Sequence, residues 1–429
     1  MKPVNIGMLG LGTVGSGVVR IVEGHQEDLV RQIGAPVKIS KIAVRNLNKA
    51  RRVTVDPSML TDDPWEVIND PDIDVVVEVM GGVEQTLEYM LAALELGKHI
   101  VTANKDLIAQ HGPKILAKAA EKRCDVMYEA SVAGGIPILR TLVEGFSSDR
   151  ITKIMGIVNG TTNYILTKMT QEGASYETVL AEAQRLGYAE ADPTSDVEGY
   201  DAAYKMIILG SLGFHVHLSM SDLDVKGITG VSSEDIACAK RIGHTIKLLG
   251  IAERQDDMIS ISVQPTMIKD THPLASVNGV FNAVYVYGQA VGETMFYGPG
   301  AGDMPTATSV VADLVAVSRN LMLGINGNRN SMIMNEKKLK SDEQIVSKYF
   351  MRLQVADRAG VLAQITQIFA EQEISLESVI QTPNSEHQGE TEIIIITHNA
   401  SKSGMNHVLE RFAAIDAVKA VRSVYRVEG

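Results

Sequence analysis

Cysteine is almost missing from this chain: Cys124 and Cys238 are the two thiols in 429 residues. Two cysteines so far apart build neither a disulfide framework nor a clustered metal site. Cys124 opens an apolar, strand-like run and Cys238 falls in a helical stretch, so both read as buried thiols. Aromatic residues are also scarce, at 5% of the chain, so the cores must be filled by Val, Ile, Leu, Ala and Met. Positive charge is the minority sign, with 40 Lys and Arg against 52 Asp and Glu, a formal net charge of −12. That balance argues against nucleic acid as a partner, because duplex binding rests on clustered cations. No apolar run is long enough to span a bilayer. Met1 is followed directly by a strand pattern, without the basic segment, apolar stretch and cleavage site of an export signal. The expectation is a cytoplasmic protein with no membrane partner. No low-complexity tract or repeat of fixed period is visible.

What is present is enough apolar material for large cores, 45% of the residues, in a chain long enough for two or three domains. Residues 4–130 alternate short β-branched runs (4–10, 37–44, 74–80, 99–104 and 125–130) with amphipathic stretches, clearest at 83–96 and 107–121. Such alternation predicts an α/β domain, a parallel sheet covered on both faces. From 131 to 303 the rhythm changes to longer strands and helices with acid-rich loops, an α+β pattern for a substrate-binding domain. An apolar helix at 304–323 is expected to pack back on the first domain. Residues 324–347 read as a linker that opens with Gly, Asn and Lys. Residues 348–429 form their own βαββαβ pattern, with strands at 349–355, 374–381, 392–398 and 418–427 and helices at 361–371 and 405–415.

The first strand ends in Gly10-Leu11-Gly12-Thr13-Val14-Gly15 before a helical stretch. A lone GxGxxG is a weak signal, but between strand and helix its physics works. Gly10 permits the tight turn, Gly12 lets the backbone approach a pyrophosphate, and Gly15 lets the helix pack on the sheet. The helix N-terminus then offers unpaired N–H groups to that anion. A turn of purely structural use is the alternative. Where NAD-specific proteins carry an acid at the end of the second strand, this chain reads Ala43-Val44-Arg45-Asn46, followed by Lys49, Arg51 and Arg52. A guanidinium grips a 2′-phosphate that a carboxylate would repel. Arg45 therefore predicts a preference for NADP(H) over NAD(H), with a solvated basic loop as the alternative.

Two lysines stand out. Lys105 directly follows the run 99–104, at the carboxyl edge of the expected sheet, where open α/β folds bind ligands; a surface lysine in the first helical turn is the alternative. Lys205 follows Asp201 by four positions, so both share one helix face, and the helix continues into Met206-Ile207-Ile208-Leu209. A lysine entering a core is partly desolvated, and a neighbouring carboxylate orients it and tunes its proton affinity. Reducing a carbonyl requires a proton for the oxygen as hydride reaches the carbon. A positioned donor adds roughly 10²–10⁴-fold, on the order of 3–5 kcal/mol of barrier. Upstream, Glu190, Asp192, Asp196 and Glu198 crowd one loop and suit the ammonium group of an amino-acid substrate. A divalent metal is the competing reading, without histidines or the alternation of an EF-hand loop.

The motifs now form a pattern. Gly10–Gly15 is joined by Thr102-Ala103-Asn104-Lys105, by Glu129-Ala130-Ser131-Val132-Ala133-Gly134-Gly135-Ile136-Pro137 and by Asn159-Gly160-Thr161-Thr162-Asn163-Tyr164. Leu186-Gly187-Tyr188-Ala189-Glu190-Ala191-Asp192-Pro193, the run from Asp196 to Lys205, and His272-Pro273-Leu274-Ala275 follow. In this order and spacing the chain resembles homoserine dehydrogenase of the long bacterial type, which carries a C-terminal ACT domain, a ferredoxin-like βαββαβ module. The resemblance implies reversible oxidation of L-homoserine to L-aspartate 4-semialdehyde, in the biosynthesis of threonine, methionine and isoleucine. It implies Lys205 as proton donor with Asp201 beside it, and Lys105 near substrate and nicotinamide. Glu190, with Asp196, would bind the substrate ammonium, and Gly160 and Thr161 would line the same pocket. Gly302, in the run Gly298-Pro299-Gly300-Ala301-Gly302, would join the glycine turn at the cofactor. It also implies a monovalent cation, sodium, on oxygens of Glu129, Val132, Gly134 and Ile136; by sequence alone that turn reads as structural. A homodimer or homotetramer is implied through the middle domain's sheet, with 152–158 and 280–286 as its strands. In the tail, Asp357-Arg358-Ala359-Gly360-Val361-Leu362 resembles the ACT ligand loop, with Asp357, Gly360 and Val361 at a regulatory site for an end product such as threonine. An ACT fold that only cements oligomers is the alternative.

Two other functions compete. An aspartate-semialdehyde dehydrogenase would need an accessible thiolate to form a thioester, and neither cysteine is placed for it. A non-catalytic sensor of cofactor or amino acid would have no need of Lys205.

Overall fold

The computed structural model describes residues 2–327, 334–383 and 389–428. The chain divides into two compact units. The first comprises Met1–Gly160, Asp201–Asp222 and Phe281–Lys337; the second comprises Thr161–Tyr200, Leu223–Val280 and Lys338–Gly429.

The first unit is built on six parallel strands: β1 (Val4–Leu9), β2 (Val37–Ala43), β3 (Leu60–Thr61), β4 (Val75–Glu78), β5 (His99–Thr102) and β6 (Val126–Met127). Their spatial order is β3-β2-β1-β4-β5-β6, the doubly wound order of a Rossmann-type dinucleotide-binding sheet. The strands end earlier than the sequence suggests, because the apolar pattern runs on into ligand-edge loops. After β6 the chain turns into a 3₁₀ segment, Glu129–Ser131, in place of the strand expected to Ala130. There the Glu129 N–H donates to Asp313 at 2.8 Å, and the Glu129 carboxylate accepts from the Leu139 and Arg140 amides at 2.7 and 2.8 Å. Strand β3 has two residues, too few to leave a period-2 signal.

Helix Asp303–Leu323 packs across helix Thr13–Gly24. Ala307, Val310, Val311, Leu314 and Val317 share a core with Val18, Val19, Ile21 and Val22. Gly17 makes the crossing close: a Cβ there would lie 2.7 Å from Ala307 Cβ and 2.8 Å from the Asp303 carbonyl oxygen. The same unit holds the antiparallel strands Ile151–Ile157, Phe281–Gly288 and Gly292–Pro299, with Phe281–Gly288 paired to both others. Helix Tyr200–Phe214 leans on Ile151–Ile157 at Gly213, where an added Cβ would meet Ile154 Cδ1 at 2.6 Å. This contact fixes the axial position of the helix that carries Lys205.

In the second unit the long hairpin His244–Gln255 and Met258–Lys269 accompanies helices Tyr176–Leu186 and Ser233–Arg241. The tail is the expected ferredoxin-like ACT module. Strands Val346–Ala356, Leu376–Pro383, Glu390–Thr397 and Val418–Glu428 form an antiparallel sheet with Val346–Ala356 and Glu390–Thr397 inside. Helices Val361–Glu371 and Lys402–Ala413 cover it, Phe369 meeting Phe412 edge to face at 5.6 Å. The second helix begins at Lys402, earlier than expected, because the Ser401 hydroxyl caps the Gly404 amide at 3.0 Å. Strand Val418–Glu428 also pairs in parallel with Met258–Lys269, Thr266 facing Arg426. Among the described residues no helix is long and apolar enough to cross a membrane.

Candidate active site

The glycine turn behaves as its spacing requires. Gly10 has φ +108°, and a Cβ there would strike the Val79 carbonyl oxygen at 2.7 Å; one on Gly15 would strike the Gly10 oxygen at 2.6 Å. Around Gly12 nothing lies within 4 Å of an added Cβ, so that face is open to a ligand. Gly12 is the N-cap of helix Thr13–Gly24, with no side-chain cap and no acid in the first turn. These residues fit a pyrophosphate. Arg45 is exposed just past the end of β2. Arg51 instead shapes the loop, its guanidinium donating to the carbonyls of Asn46, Leu47 and Lys49 at 2.8–3.0 Å. Gly302 caps helix Asp303–Leu323 with φ +134°.

Lys105 is the first residue of helix Lys105–Lys122, which starts two residues earlier than the apolar pattern suggests. The cause is Asn104, whose Oδ1 accepts the Leu107 N–H at 3.1 Å while its Nδ2 donates to the Gly82 carbonyl at 2.7 Å. Behind it stands Glu78, fully buried at the end of β4. Its carboxylate accepts the Met80 and Gly81 amides at 2.9 and 3.1 Å and the Thr102 hydroxyl at 2.5 Å. Burial drives the Glu78 pKa upward against these bonds. Sequence reasoning missed Glu78 as the post that ties the β4 and β5 loops together. Its signal was a lone acid closing the run Val75-Val76-Val77-Glu78.

Asp201 joins the two lysines. Its Oδ2 accepts the Lys205 ammonium at 2.6 Å, and its Oδ1 lies 3.2 Å from Lys105 Nζ. Asn159 Nδ2 donates to Oδ2 at 2.8 Å, and Lys205 also donates to the Val158 carbonyl at 2.8 Å. Burial alone would raise the Asp201 pKa, but the charges of Lys205 and then Lys105 outweigh it and hold the carboxyl below its ordinary value. For Lys105, burial pulls the pKa down, and the carboxylates of Asp201 and, at 3.6 Å, Asp106 together more than restore it, leaving it raised. One carboxylate thus orients two ammonium groups, one on each oxygen. Asn159, at the head of Asn159-Gly160-Thr161, is a fourth member that the sequence did not single out.

Glu190 and Asp196 belong to the second unit. Glu190 is exposed, its carbonyl accepting from Gln184 Nε2 at 3.1 Å, and Asp196 lies in the short helix Thr194–Val197. Gly160 opens helix Gly160–Glu172, and the Thr161 hydroxyl donates to the Tyr188 carbonyl at 2.6 Å. In the tail, Asp357 is exposed in the loop after Val346–Ala356, its amide bonded to the Gly389 carbonyl at 2.8 Å. Gly360, at φ +88°, caps the helix that begins at Val361.

The turn from Glu129 to Ile136 runs through two left-handed residues, Ala133 (φ +53°) and Gly134 (φ +45°). The Glu129 carboxylate is already taken by amides, so a cation here would rest on main-chain oxygens. Gly134 abuts the Gly300 carbonyl, and Gly300 in turn packs against Asn282. Asn282 is buried with both side-chain polar atoms unpartnered. An orphaned amide beside a turn of carbonyls suits a polar ligand at this turn.

Both cysteines are buried, and burial pushes the Cys124 thiol up to about 11 and raises that of Cys238. Neither is suited to thiolate chemistry.

Fold and site together define a dinucleotide-dependent oxidoreductase with an appended ACT domain. Comparison with known proteins sharpens this. The homoserine dehydrogenase family profile matches residues 137–315, its NAD-binding domain residues 10–129, and the ACT domain residues 349–417. Homoserine dehydrogenase of Bacillus subtilis is 55% identical over 429 residues, covering 100% of this chain and 99% of that protein. The crystal structure of a homoserine dehydrogenase from Thiobacillus denitrificans superposes with a TM-score of 0.94 at 41% identity, covering 100% of this chain and 99% of that one. A hyperthermophilic archaeal homoserine dehydrogenase in complex with NADPH matches with a TM-score of 0.63 at 28% identity, over 74% of this chain and 98% of that one. The chain belongs to the homoserine dehydrogenase family and is an oxidoreductase acting on a CH–OH group.

Proposed function

We propose that this enzyme interconverts L-homoserine and L-aspartate 4-semialdehyde, with Lys205 handling the proton. The observation that carries the proposal is the bridge of Asp201 between Lys205 and Lys105 at 2.6 and 3.2 Å. When bound, the nicotinamide supplies hydride to the aldehyde carbon or takes it from the alcohol carbon. Lys205 gives its proton to the developing alkoxide during reduction and receives the hydroxyl proton during oxidation. Asp201 keeps the ammonium aimed and compensates its charge. Lys105, on the second Asp201 oxygen, places another positive charge at the carboxyl edge of the sheet, suited to an oxygen that gains charge. Glu190 and Asp196 are assigned to the substrate ammonium, and Gly160 and Thr161 to substrate binding. The proposed reaction belongs to the biosynthesis of threonine, methionine and isoleucine, and the proposed location is the cytoplasm.

NADP(H) is the proposed cofactor, supported by exposed Arg45 at the ribose end of β2 and by the absence of an acid at that position. Sodium is assigned to the main-chain oxygens of Glu129, Val132, Gly134 and Ile136, where its charge would tie this turn to the glycine stretch ending at Gly302. Threonine at Asp357, Gly360 and Val361 is the proposed feedback ligand. A homodimer or homotetramer through the middle-domain strands is supported by Phe281 and Tyr297, which stack at 5.2 Å yet remain exposed.

The test follows nicotinamide absorbance with homoserine and each oxidised cofactor in turn, for the parent enzyme and Lys205→Ala. The parent should favour NADP⁺. The variant should lose about 100-fold or more in kcat in both directions, as expected for a general acid–base group, with cofactor affinity nearly unchanged. Full activity of Lys205→Ala would remove Lys205 from the proton path, and a clear NAD⁺ preference would remove the assignment of Arg45.

A further inference from the structure

The tail and the hairpin strands of the second unit enclose a cavity of about 240 Å³. Asp224 and Lys226 contribute from one side, where Asp224–Val225 pairs with Met258–Lys269 through Ser262. Tyr349, Lys402, Asn406 and Arg426 contribute from the tail. Three cations therefore face one carboxylate, and that carboxylate, Asp224, is already engaged by Lys402 at 2.5 Å. Arg426 is nine-tenths buried and pairs through a terminal nitrogen with Glu428 at 2.7 Å, yet its Nε–H is buried with no acceptor. The Lys226 ammonium lies 5.9 Å above the Tyr425 ring and forms no ion pair among the described residues.

We propose that this cavity binds a small organic carboxylate of amino-acid size. Its carboxylate would answer the ammonium of Lys226 beside the cationic lining of Lys402 and Arg426, while Asn406 and Asp224 offer acceptors to a polar group at the other end. The volume equals that of roughly eight waters at about 30 Å³ each, which suits such a molecule and excludes a nucleotide. The site is separate from the Asp357–Val361 loop. Tyr349 lies near the start of strand Val346–Ala356 and Asp357 just beyond its end, roughly 26 Å away at about 3.3 Å per residue. A ligand here would span the seam where Val418–Glu428 pairs with Met258–Lys269, and so would tighten the tail against the hairpin.

Calorimetric titration and thermal melting of the full-length enzyme with acetate, glycine, L-aspartate, L-threonine and inorganic phosphate test the proposal. At least one carboxylate probe should bind saturably and raise Tm. Its affinity should fall about tenfold or more in Lys226→Ala and in Asn406→Leu, the loss of one charge-assisted or polar contact, and stay within about twofold in Asp357→Ala. Lys226 is exposed, so its removal leaves the fold intact. The proposal is overturned if no carboxylate binds, if phosphate alone does, or if binding survives Lys226→Ala and Asn406→Leu.

Discussion

Single residues in this protein show how burial and charge are balanced case by case. Asp201 is compensated twice over by Lys205 and Lys105 and stays ionised. Lys247 has no such partner among the described residues. It is 1% exposed, and its ammonium donates to neutral acceptors, the Val277 carbonyl at 2.6 Å and the side-chain oxygens of Asn163 and Asn278 at 3.1 and 3.2 Å. Burial therefore pulls its pKa down to about 8. In the unfolded chain the group titrates near its ordinary value of about 10.5, so between these limits the unfolded state holds the extra proton and stability rises with pH. Below pH 8 both states are charged and the burial penalty is constant, about 3 kcal/mol for a shift of this size. Lys247→Met has no proton to lose. In urea unfolding, its stability relative to the parent should therefore decline by about 2 kcal/mol between pH 8 and pH 10. A pH-independent difference would mean that the folded protein does not depress Lys247.

At the scale of elements, close glycine contacts decide where the working helices sit. Gly17 lets helix Thr13–Gly24, whose N-terminus carries the glycine turn proposed for the cofactor, lie against helix Asp303–Leu323; an added Cβ would meet the backbone of Asp303 at 2.8 Å. Gly17→Val should force the two helices apart at a cost of about 1–3 kcal/mol. It should weaken dinucleotide binding, read as a raised cofactor KM with a lowered Tm. An unchanged KM and Tm would show that the pair repacks freely. The glycine turn, the parallel sheet, the tail module and the Asp201–Lys205 pair were legible in the sequence because each depends on local spacing. The meeting of Lys105 with Asp201, the post at Glu78 and the amide of Asn159 were not, because residues 24 to 96 positions apart must first be brought together by the sheet. Helix Lys105–Lys122 was placed late for a related reason: Asn104 serves both as cap and as tie to Gly82, and only the cap has a sequence signature. Lys247 was hidden inside strand His244–Gln255, where a single cation in an apolar run reads as a solvent-facing position.

At the scale of the whole molecule, the regulatory tail is part of the second unit's sheet. Strand Val418–Glu428 covers the edge of Met258–Lys269, and the linker returns to the same strand through Ile259, which exchanges bonds with Lys338 and Lys340 at 2.8 Å. Arg352 and Tyr425 of the tail both bond Asp235 of helix Ser233–Arg241, at 2.8 Å each. Cutting the chain at Gly324 would uncover a strand edge, a template for aggregation, and strand Asp235 without its buried partners. Such a truncation confounds loss of regulation with loss of fold. Asp357→Ala separates them, because Asp357 is exposed and its fold-sustaining bond is made by the backbone amide. If threonine acts at this loop, Asp357→Ala should require about tenfold more threonine for half-inhibition, while uninhibited kcat stays within about twofold of the parent. The chain cut at Gly324 should instead lose several degrees of Tm or precipitate, whatever the effector. Undiminished inhibition of Asp357→Ala would place the feedback ligand elsewhere on the enzyme, and a stable, fully active truncated chain would show that the tail's pairing with the hairpin carries no weight in the fold.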